Sequence, residues 1–494
     1  MKSRRPDTKS HFKFSIHIYS FILNANDAKR YSNSLLLDDP FFDSLRRKEY
    51  ENLDKHHQVY LDYTGGNVSP KSLVLKHQAL LLENILGNPH SSNPTSQKST
   101  DLIERTRIKV LEFFNARDYI CVFTSNASGA LKIIGESFPF SRNSTLLILC
   151  DNHNSVNGIR EYCLKRKGSV RYVPVEYEDL QINEKSLRSS LAELTKQNGY
   201  HLFAYPAQSN ASGVKHDLKW IDVAQQNGFH VLLDAAAFVP TSRLNLSQHQ
   251  PDFVSISFYK IFGYPTGVGC LLIKKSSFDV LQKPWFAGGT VNLVSVVSEN
   301  KFLRDGCERF EDGTLNYINI PAVEAGIKYI ESIGMQRISA RINMLVQYVM
   351  AELKSLTHDN GQPVVRIFGP DNLDNRGGNI MMNFMDPEGR VYAFEDIEQM
   401  TNAKHISIPS GCFCNPGIDE INNCLTREEV SQYFESRQAG DYHDMILFFK
   451  KMRGATRVSV GLPTNKNDID IFVELIKLLR SKILKNPVKA AAVV

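Results

Sequence analysis

The fold is decided by residues 257–269, which read Ser-Phe-Tyr-Lys-Ile-Phe-Gly-Tyr-Pro-Thr-Gly-Val-Gly. The apolar run 253–256 before them predicts a buried strand, and the glycines predict a turn that needs freedom in φ. Lys260 therefore follows a strand end closely, with the hydroxyls of Ser257 and Tyr259 beside it. A lysine in this setting is suited to forming a Schiff base next to a bound phosphate. The plain alternative is a surface lysine in a glycine-rich loop.

The size and composition of the chain predict a protein of two or three domains in a cytoplasmic compartment. The chain has 494 residues, of which 42% are hydrophobic and 22% charged, and its net charge of +5 is spread rather than clustered. This balance gives no reason to expect nucleic-acid or membrane binding. Eight cysteines in so long a chain indicate reduced thiols rather than a disulfide framework.

Three regions are expected along the chain. Residues 1–45 form an N-terminal extension with some helix, residues 46–330 a large domain, and residues 331–494 a small C-terminal domain. The apolar run 12–23 faintly resembles a signal peptide, but Lys13 and His17 interrupt it, and it is too short to span a bilayer.

Strand-like and helix-like segments alternate through the large domain. This alternation predicts an α/β fold with a mainly parallel sheet covered on both faces, whose functional groups gather at the carboxyl ends of the strands. Predicted strands are 119–123, 146–149, 170–175, 202–205, 230–233, 253–256 and 269–273, and predicted helices include 72–86, 99–114, 131–137, 155–165, 183–196 and 218–226. From residue 322 onward we expect helices 322–332, 335–356 and 468–485, with strands 364–368, 379–384 and 457–460.

Residues 119–137 have the pattern of an anion site. A buried strand runs into the small-residue turn Thr124-Ser125-Asn126-Ala127-Ser128-Gly129-Ala130, and a helix follows. Free backbone N–H groups and the helix dipole would point at this turn. The segment is neither a P-loop nor a dinucleotide fingerprint, so the pattern alone does not distinguish a phosphate site from an ordinary helix start.

Asp234 is the natural partner of Lys260. It ends the apolar run 231–233, where burying a carboxylate is costly unless it is paired. One interpretation is a helix cap or turn former. The other is a carboxylate that pairs with the protonated ring nitrogen of a pyridine cofactor, and Lys260 at the end of the next strand favours it.

These motifs together resemble the pyridoxal-phosphate core of class V aminotransferase-fold enzymes, and most closely the cysteine-desulfurase-like amino-terminal domain of molybdenum cofactor sulfurases. The resemblance covers residues 60–479. It rests on the segments 234–237, 257–269, 87–91, 205–210, 310–314 and 411–417 in this order. It implies the pyridoxal-phosphate-dependent transferase fold type I, with a large, mainly parallel, seven-stranded sheet and a smaller C-terminal α/β domain.

The resemblance also implies roles for the cofactor residues. Lys260 would carry pyridoxal 5'-phosphate as a Schiff base and then move protons, Asp234 would pair with the pyridine nitrogen, His153 would stack on the ring, and Asn210 would bond the phenolic oxygen. The phosphate would be held by Ala127, Ser128, Ser257, Tyr259 and Thr314. In this family the last of these reaches across a dimer interface, which implies a homodimer.

The substrate residues are assigned in the same way. Arg457 would bind the α-carboxylate of the substrate, a task suited to a planar bidentate donor. Asn88 and His90 would line the substrate entrance. Taken singly, each of these polar residues has a plain alternative as a surface or turn residue or as part of a structural ion pair.

Two cysteines decide which reaction we expect. Cys412 and Cys414 flank Phe413 in a loop bounded by glycine and proline, where a thiol can be exposed and reactive. By register with related desulfurases, Cys414 is the nucleophile that takes up sulfur as a persulfide, and Cys412 could resolve or relay it. The alternative is a zinc site built from Cys412, Cys414 and Cys424, but the spacing does not form a Cys-x-x-Cys knuckle.

The expected reaction removes sulfur from L-cysteine and releases L-alanine. Other readings are a lyase, epimerase or aminotransferase of the same class acting on another amino acid, or a non-catalytic scaffold that binds the cofactor or zinc. The loop 408–411 lacks the arginine that relatives commonly carry two residues before the glycine. Because the sequence ends soon after the small domain, we expect the sulfur acceptor to be a separate protein.

Overall fold

A computed structural model describes residues 37, 39–194, 198–451 and 453–484 of the chain. The signal-like run 12–23 and most of the predicted N-terminal extension lie outside these residues. The described part begins with two helices, and the side chain of Asp39 caps the first of them. The elements before the large sheet are α1 (Pro40–Glu49), α2 (Glu51–Lys55), β1 (Val59–Tyr60), α3 (Lys71–Glu83) and α4 (Pro94–Phe113).

A seven-stranded sheet forms the centre of the molecule and confirms the predicted fold class. Its strands are β2 (Tyr119–Thr124), β3 (Thr145–Leu149), β4 (Ser169–Val173), β5 (His201–Pro206), β6 (Phe229–Asp234), β7 (Phe253–Ser257) and β8 (Gly269–Lys274). They are arranged in the order β2-β8-β7-β6-β5-β3-β4. The pairs from β4 through β7 are parallel, whereas β8 runs antiparallel to both of its neighbours.

Helices cover both faces of this sheet. Within β3, Leu147 and Leu149 belong to one apolar core, while Leu146 and Ile148 belong to another. Successive side chains of a strand point to opposite faces, so a strand that is apolar throughout needs cover on both sides. The covering helices include α5 (Ala127–Ser137), α6 (Asn154–Asn157), α7 (Ile159–Lys165), α8 (Glu184–Leu194) and α9 (Lys219–Gln226).

The rest of the chain builds a second, smaller sheet and the helices around it. Helix α10 (Tyr259–Phe262) connects β7 to β8. After β8 come β9 (Val291–Val294), β10 (Lys301–Leu303), α11 (Ile320–Ile333) and α12 (Met335–Lys354). There follow β11 (Val365–Ile367), β12 (Asn379–Phe384), α13 (Phe394–Asn402), β13 (Ile406–Ser407), β14 (Ser410–Gly411), α14 (Pro416–Asn422), α15 (Arg427–Glu435), α16 (Tyr442–Phe449), β15 (Ala455–Ser459) and α17 (Lys466–Lys477). The sheet is antiparallel in the order β11-β12-β15-β14.

Three predicted helices differ from the structure. Helix α4 begins at Pro94 rather than Ser99, because the Asn93 side chain caps it and a proline fits the first helical position. The single helix predicted over 155–165 is divided at Gly158 into α6 and α7. The last helix ends at Lys477, eight residues before the predicted end at 485. No helix in the described ranges is long and apolar enough to cross a membrane.

A buried arginine joins the two sheets. Arg376 is 1% exposed and donates to the carbonyl oxygens of Pro370 (2.8 Å), Phe368 (2.6 Å) and Ser212 (2.9 Å). Ser212 belongs to the loop after β5, so one guanidinium spans the large sheet and the small one. Burial lowers the pKa of Arg376 to about 10.

We expect Arg376→Met to lower the free energy of unfolding by about 3 kcal/mol, because several buried carbonyl oxygens would lose their donor. Arg171→Met is the matched control. Arg171 forms an exposed pair with Glu193, and its loss should cost less than about 1 kcal/mol. Urea denaturation measures both values, and equal effects would contradict the proposed bridging role of Arg376.

Candidate active site

A cavity of about 170 Å³ opens where the central strands end. Its wall brings together eight of the residues predicted to bind the cofactor. These are Ala127, Ser128, His153, Asn210, Asp234, Ser257, Tyr259 and Lys260. The carboxyl ends of neighbouring parallel strands meet at one edge of a sheet, and for this reason residues far apart in the sequence form one site.

Lys260 lies in α10, directly after β7, and reaches into this cavity. Among the described residues, its Nζ has no hydrogen-bond or ion-pair partner. Burial lowers the pKa of Lys260 below the ordinary 10.5, while the nearby charge of Asp234 acts to raise it and that of Arg457 acts to lower it. A buried amine that is readily neutral is the form of lysine needed for attack on an aldehyde.

Asp234 ends β6 and presents one free carboxylate oxygen. Its Oδ1 accepts from the Ser255 hydroxyl (2.8 Å) and from the Ala236 backbone N–H (3.1 Å). No donor in the described part of the chain contacts Oδ2. The carboxylate is therefore fixed in position and still has an acceptor available, and this arrangement fits the protonated nitrogen of a pyridine ring.

His153 begins α6 and forms another part of the wall. Its Nδ1 accepts from the backbone N–H of Ser155 at 3.1 Å. Burial is the main cause that lowers the pKa of His153, and the charge of Lys260 adds to it. The ring is therefore neutral, with its proton on Nε2, and a neutral ring can stack on an aromatic cofactor.

The N-terminus of α5 provides the predicted anion site. The Asn126 side chain caps the helix by accepting from Gly129 N at 2.9 Å, and the Ala127 N–H donates to the Ser257 hydroxyl at 2.8 Å. The Ser128 N–H has no acceptor among the described residues, and the Ser128 hydroxyl lies 2.6 Å from that of Ser155. An unpaired N–H, several hydroxyls and the positive end of the helix dipole fit a phosphate group.

Arg457 approaches the cavity from the small sheet. It is 5% exposed, and its guanidinium donates to Asp62 Oδ1 (2.6 Å) and to the Asn210 carbonyl oxygen (2.8 Å). Its Nε has no partner in the described ranges. Burial lowers the pKa of Arg457, while Asp62 acts in the opposite direction. The free Nε–H leaves capacity to bind a substrate carboxylate.

The cysteine loop 411–415 lies against this wall. Phe413 and Cys414 both have left-handed backbone angles, with φ of 55° and 54°. The Asn210 side-chain amide donates to the Phe413 carbonyl at 2.6 Å, and the Asn154 N–H donates to the Cys414 carbonyl at 2.7 Å. Cys414 is exposed and Cys412 is half-buried. The Asn210 amide N–H, predicted to bond the phenolic oxygen of the cofactor, thus contacts the cysteine loop in this structure.

Five predicted residues lie outside the cavity wall: Arg457 and Cys414, described above, and Asn88, His90 and Thr314. Asn88 Nδ2 donates to the Thr314 hydroxyl at 3.3 Å, and His90 Nε2 lies 3.4 Å from the Gly313 carbonyl oxygen. The loop that carries Asn88 and His90 therefore contacts the predicted phosphate residue Thr314. The cavity of this chain does not include Thr314.

Several wall residues were not predicted from the sequence. Asn126, Ser155 and Gln208 line the cavity, and Asp62 contacts Arg457. Asn126 and Gln208 lie inside motifs that the sequence singled out, so their position after a strand was the available signal. Asp62 had no such signal, because its partner lies 395 positions away.

The zinc alternative gains no support from the structure. Within the described ranges, no group of three or more histidine, cysteine or acidic residues is arranged to hold a metal ion. The Cys424 sulfur lies 3.9 Å from the Tyr177 hydroxyl, in contact with no other cysteine.

The fold and the lysine–carboxylate–helix arrangement define the class of pyridoxal-phosphate-dependent transferases of fold type I. The model of the class V aminotransferase family matches residues 59–472, most of the chain. The chain therefore belongs to the class V aminotransferase family. The predicted family resemblance and fold class are confirmed.

Individual relatives agree with this assignment. The molybdenum cofactor sulfurase of Homo sapiens is 35% identical over 456 residues, covering 87% of this chain and 50% of the relative. Molybdenum cofactor sulfurase 3 of Aedes aegypti is 36% identical over 453 residues, covering 87% and 57%. The chain thus spans about half the length of these relatives. A cysteine desulfurase structure from Thermococcus onnurineus has a TM-score of 0.74 at 23% identity, covering 88% of this chain and 97% of that one.

The charges around Lys260 predict how its titration responds to substitution. Asp234 acts to raise the pKa of Lys260 and Arg457 acts to lower it. Asp234→Asn should therefore shift the lysine's titration to lower pH, and Arg457→Gln should shift it to higher pH. Acetylation of Lys260 in the cofactor-free protein, followed by mass spectrometry across pH, measures both shifts. Shifts of the same sign in the two variants would contradict this geometry.

Proposed function

We propose that this protein is a pyridoxal-phosphate-dependent cysteine desulfurase, similar to molybdenum cofactor sulfurases, that takes sulfur from L-cysteine as a persulfide on Cys414 and releases L-alanine. The main support for this proposal is the position of the cysteine loop. The cysteine loop contacts the wall of the lysine cavity through Asn210 and Asn154. An exposed thiol and an amine suited to amino-acid chemistry thus belong to one site.

The residues of the cavity would hold pyridoxal 5'-phosphate in the predicted way. Lys260 would bond its aldehyde carbon, the free oxygen of Asp234 would pair with the ring nitrogen, and His153 would stack on the ring. The phosphate would lie at the start of α5, among the groups predicted to bind it. When bound, the cofactor supplies an electron sink that stabilises negative charge on the substrate carbons.

The chain's own residues then divide the remaining work. Arg457 orients the substrate through its α-carboxylate, using the free Nε–H of a buried guanidinium. Lys260, whose pKa burial lowers, takes the proton from the substrate Cα and returns protons to the carbon skeleton. Asn210 holds the Phe413 carbonyl and thereby places the cysteine loop beside the cavity.

Sulfur transfer is a displacement at the substrate sulfur. The Cys414 thiolate attacks that atom, a sulfur–sulfur bond forms, and the substrate Cβ–S bond breaks with its electron pair going to Cβ. Cβ takes a proton, and alanine leaves. L-cysteine and the thiol of Cys414 thus give L-alanine and the Cys414 persulfide, with no external oxidant or reductant.

The proposed reaction needs a molecule that receives the sulfur from the Cys414 persulfide. Two relatives named above are molybdenum cofactor sulfurases, and this likeness supports a sulfur acceptor as a partner. We propose that the outer sulfur of the persulfide passes to a separate acceptor protein in the cytoplasm.

We also propose that residues 46–330 and 331–494 form two domains, and that Asn88 and His90 line the substrate entrance.

A homodimer would complete the phosphate site. Thr314 lies outside the cavity of its own chain, and the neighbouring β9–β10 hairpin exposes apolar side chains, Val296 and Val297 by 94% and 93%. We propose that a second copy of the chain covers this hairpin and that Thr314 reaches the phosphate site of that second copy.

We expect Val297→Asp to be a monomer in sedimentation velocity, and this monomer should retain its cofactor more weakly. The control Ile471→Asp, an exposed apolar residue on α17, should leave the dimer intact.

The matched cysteine pair tests the reaction. We expect Cys414→Ser to abolish formation of alanine from L-cysteine, because the serine hydroxyl cannot accept sulfur. Cys412→Ser should keep alanine formation within about tenfold, because Cys412 lies beside the transfer step rather than in it. Both rates are measured as alanine released per bound cofactor.

Equal loss in the two variants would contradict the assignment of Cys414 rather than Cys412 as the nucleophile, and full alanine formation by Cys414→Ser would place the nucleophile elsewhere. No alanine from the unmodified protein would favour the alternative of a lyase, epimerase or aminotransferase. In that case a panel of amino acids assayed for keto acid, racemisation and elimination products identifies the reaction while the assignment of the fold stands.

A further inference from the structure

Asp151 is a fully buried carboxylate with no part in the chemistry described above. It follows β3 directly, and its side chain is 0% exposed. Burying a carboxylate is costly unless hydrogen bonds compensate for the lost water. The contacts of the Asp151 carboxylate therefore indicate the role of this residue.

Three side chains contact the Asp151 carboxylate. Oδ1 accepts from the Ser209 hydroxyl at 2.7 Å and from Asn415 Nδ2 at 2.6 Å, and Oδ2 lies 3.0 Å from His216 Nε2. The His216 side chain is 0% exposed too. Because a carboxylate only accepts hydrogen bonds, His216 donates from Nε2. Its Nδ1 has no partner within the described ranges.

Asn415 connects this buried pair to the cysteine loop. It follows Cys414 in the chain and caps α14 by accepting from Ile418 N. Its Nδ2 also donates to Asn210 Oδ1 at 3.1 Å, and the Asn210 amide in turn donates to the Phe413 carbonyl. The network therefore leads from His216 through Asp151 to both sides of Cys414.

The turn that begins at Asp151 also positions a residue of the cofactor cavity. Residues 151–154 place His153 in the cavity wall, and the Asn154 N–H donates to the Cys414 carbonyl. Phe413 and Cys414 have left-handed backbone angles, which side chains with a Cβ rarely adopt unless the surroundings hold them. One short turn thus fixes the ring-stacking histidine and the strained cysteine loop relative to each other.

We infer that Asp151, held in place by His216, is a positioning residue that fixes the Cys414 loop against the cofactor cavity for sulfur transfer. This inference rests on the proposed desulfurase function. Asp151 touches neither Lys260 nor Arg457, so its loss should leave amino-acid binding intact and slow only the attack of the Cys414 thiolate. Misplacement of a reacting group by about 1 Å can cost roughly a hundredfold in rate.

The first test uses Asp151→Asn in the full-length protein carrying its cofactor. Asparagine keeps the volume of the side chain but puts an N–H₂ group where one of the three donors points. We expect first-turnover formation of alanine to fall about tenfold or more, while the inhibition constant of L-alanine stays within about twofold. Hydrogen exchange of the 411–418 amides should become faster, and that of residues 253–268 should not change.

A matched histidine pair keeps the inference falsifiable if Asp151→Asn folds poorly. His216→Gln retains a donor at the Nε2 position and should keep most of the first-turnover rate. His216→Leu fills the space without a donor and should repeat the selective loss. Equal behaviour of the two variants, or a parallel loss of L-alanine affinity, would overturn the inference. Failure of the proposed function is distinguished from this, because the unmodified protein would then form no alanine from L-cysteine.

Discussion

A buried lysine amine with no partner in the described part of the chain is the constraint on which the rest of the site depends. Lys260 lies after β7 in a cavity that it shares with Asp234 and His153, and burial lowers its pKa. An unpaired cation in such a place is unfavourable, so the neutral amine is stabilised and becomes available as a nucleophile. The neighbouring Asp234 opposes this shift, and its free oxygen can instead stabilise positive charge on a pyridine nitrogen.

Sheet topology allows this arrangement. Asp234 and Lys260 follow two adjacent parallel strands, β6 and β7, and the turn with His153 follows β3 in the same sheet. The small sheet adds Arg457 and the cysteine loop from the opposite side. In the proposed function, the large sheet therefore carries the groups that bind the cofactor, whereas the small sheet carries those that orient the substrate and accept its sulfur. Arg376 and the Asp151 network join the two.

The central sheet and the residues that line the Lys260 cavity were predicted well, because strand patterns and family motifs are local in the sequence. Apolar strands ending in polar residues lead directly to Asp234, Lys260 and the turn at Ala127. The antiparallel direction of β8 and the contact of Asp62 with Arg457 could not be predicted, since neither leaves a local signal. The same holds for Asp151 and Asn415, which are 264 positions apart and meet only after both sheets have formed. The predicted end of the last helix was wrong because an apolar pattern continues past Lys477 while the helix does not.

The residues proposed to bind the cofactor and the cysteine proposed to accept sulfur lie on different elements of one site. In the proposed function, Lys260 and Asp234 provide the amino-acid chemistry, and the cysteine loop accepts the sulfur. Peptide mass spectrometry of the protein after a single turnover with L-cysteine tests the proposed persulfide on Cys414 most directly. We expect one added sulfur atom on the peptide that contains Cys414, removable by a reducing thiol and equal in amount to the alanine formed. Alanine formed with no added sulfur on that peptide would contradict it.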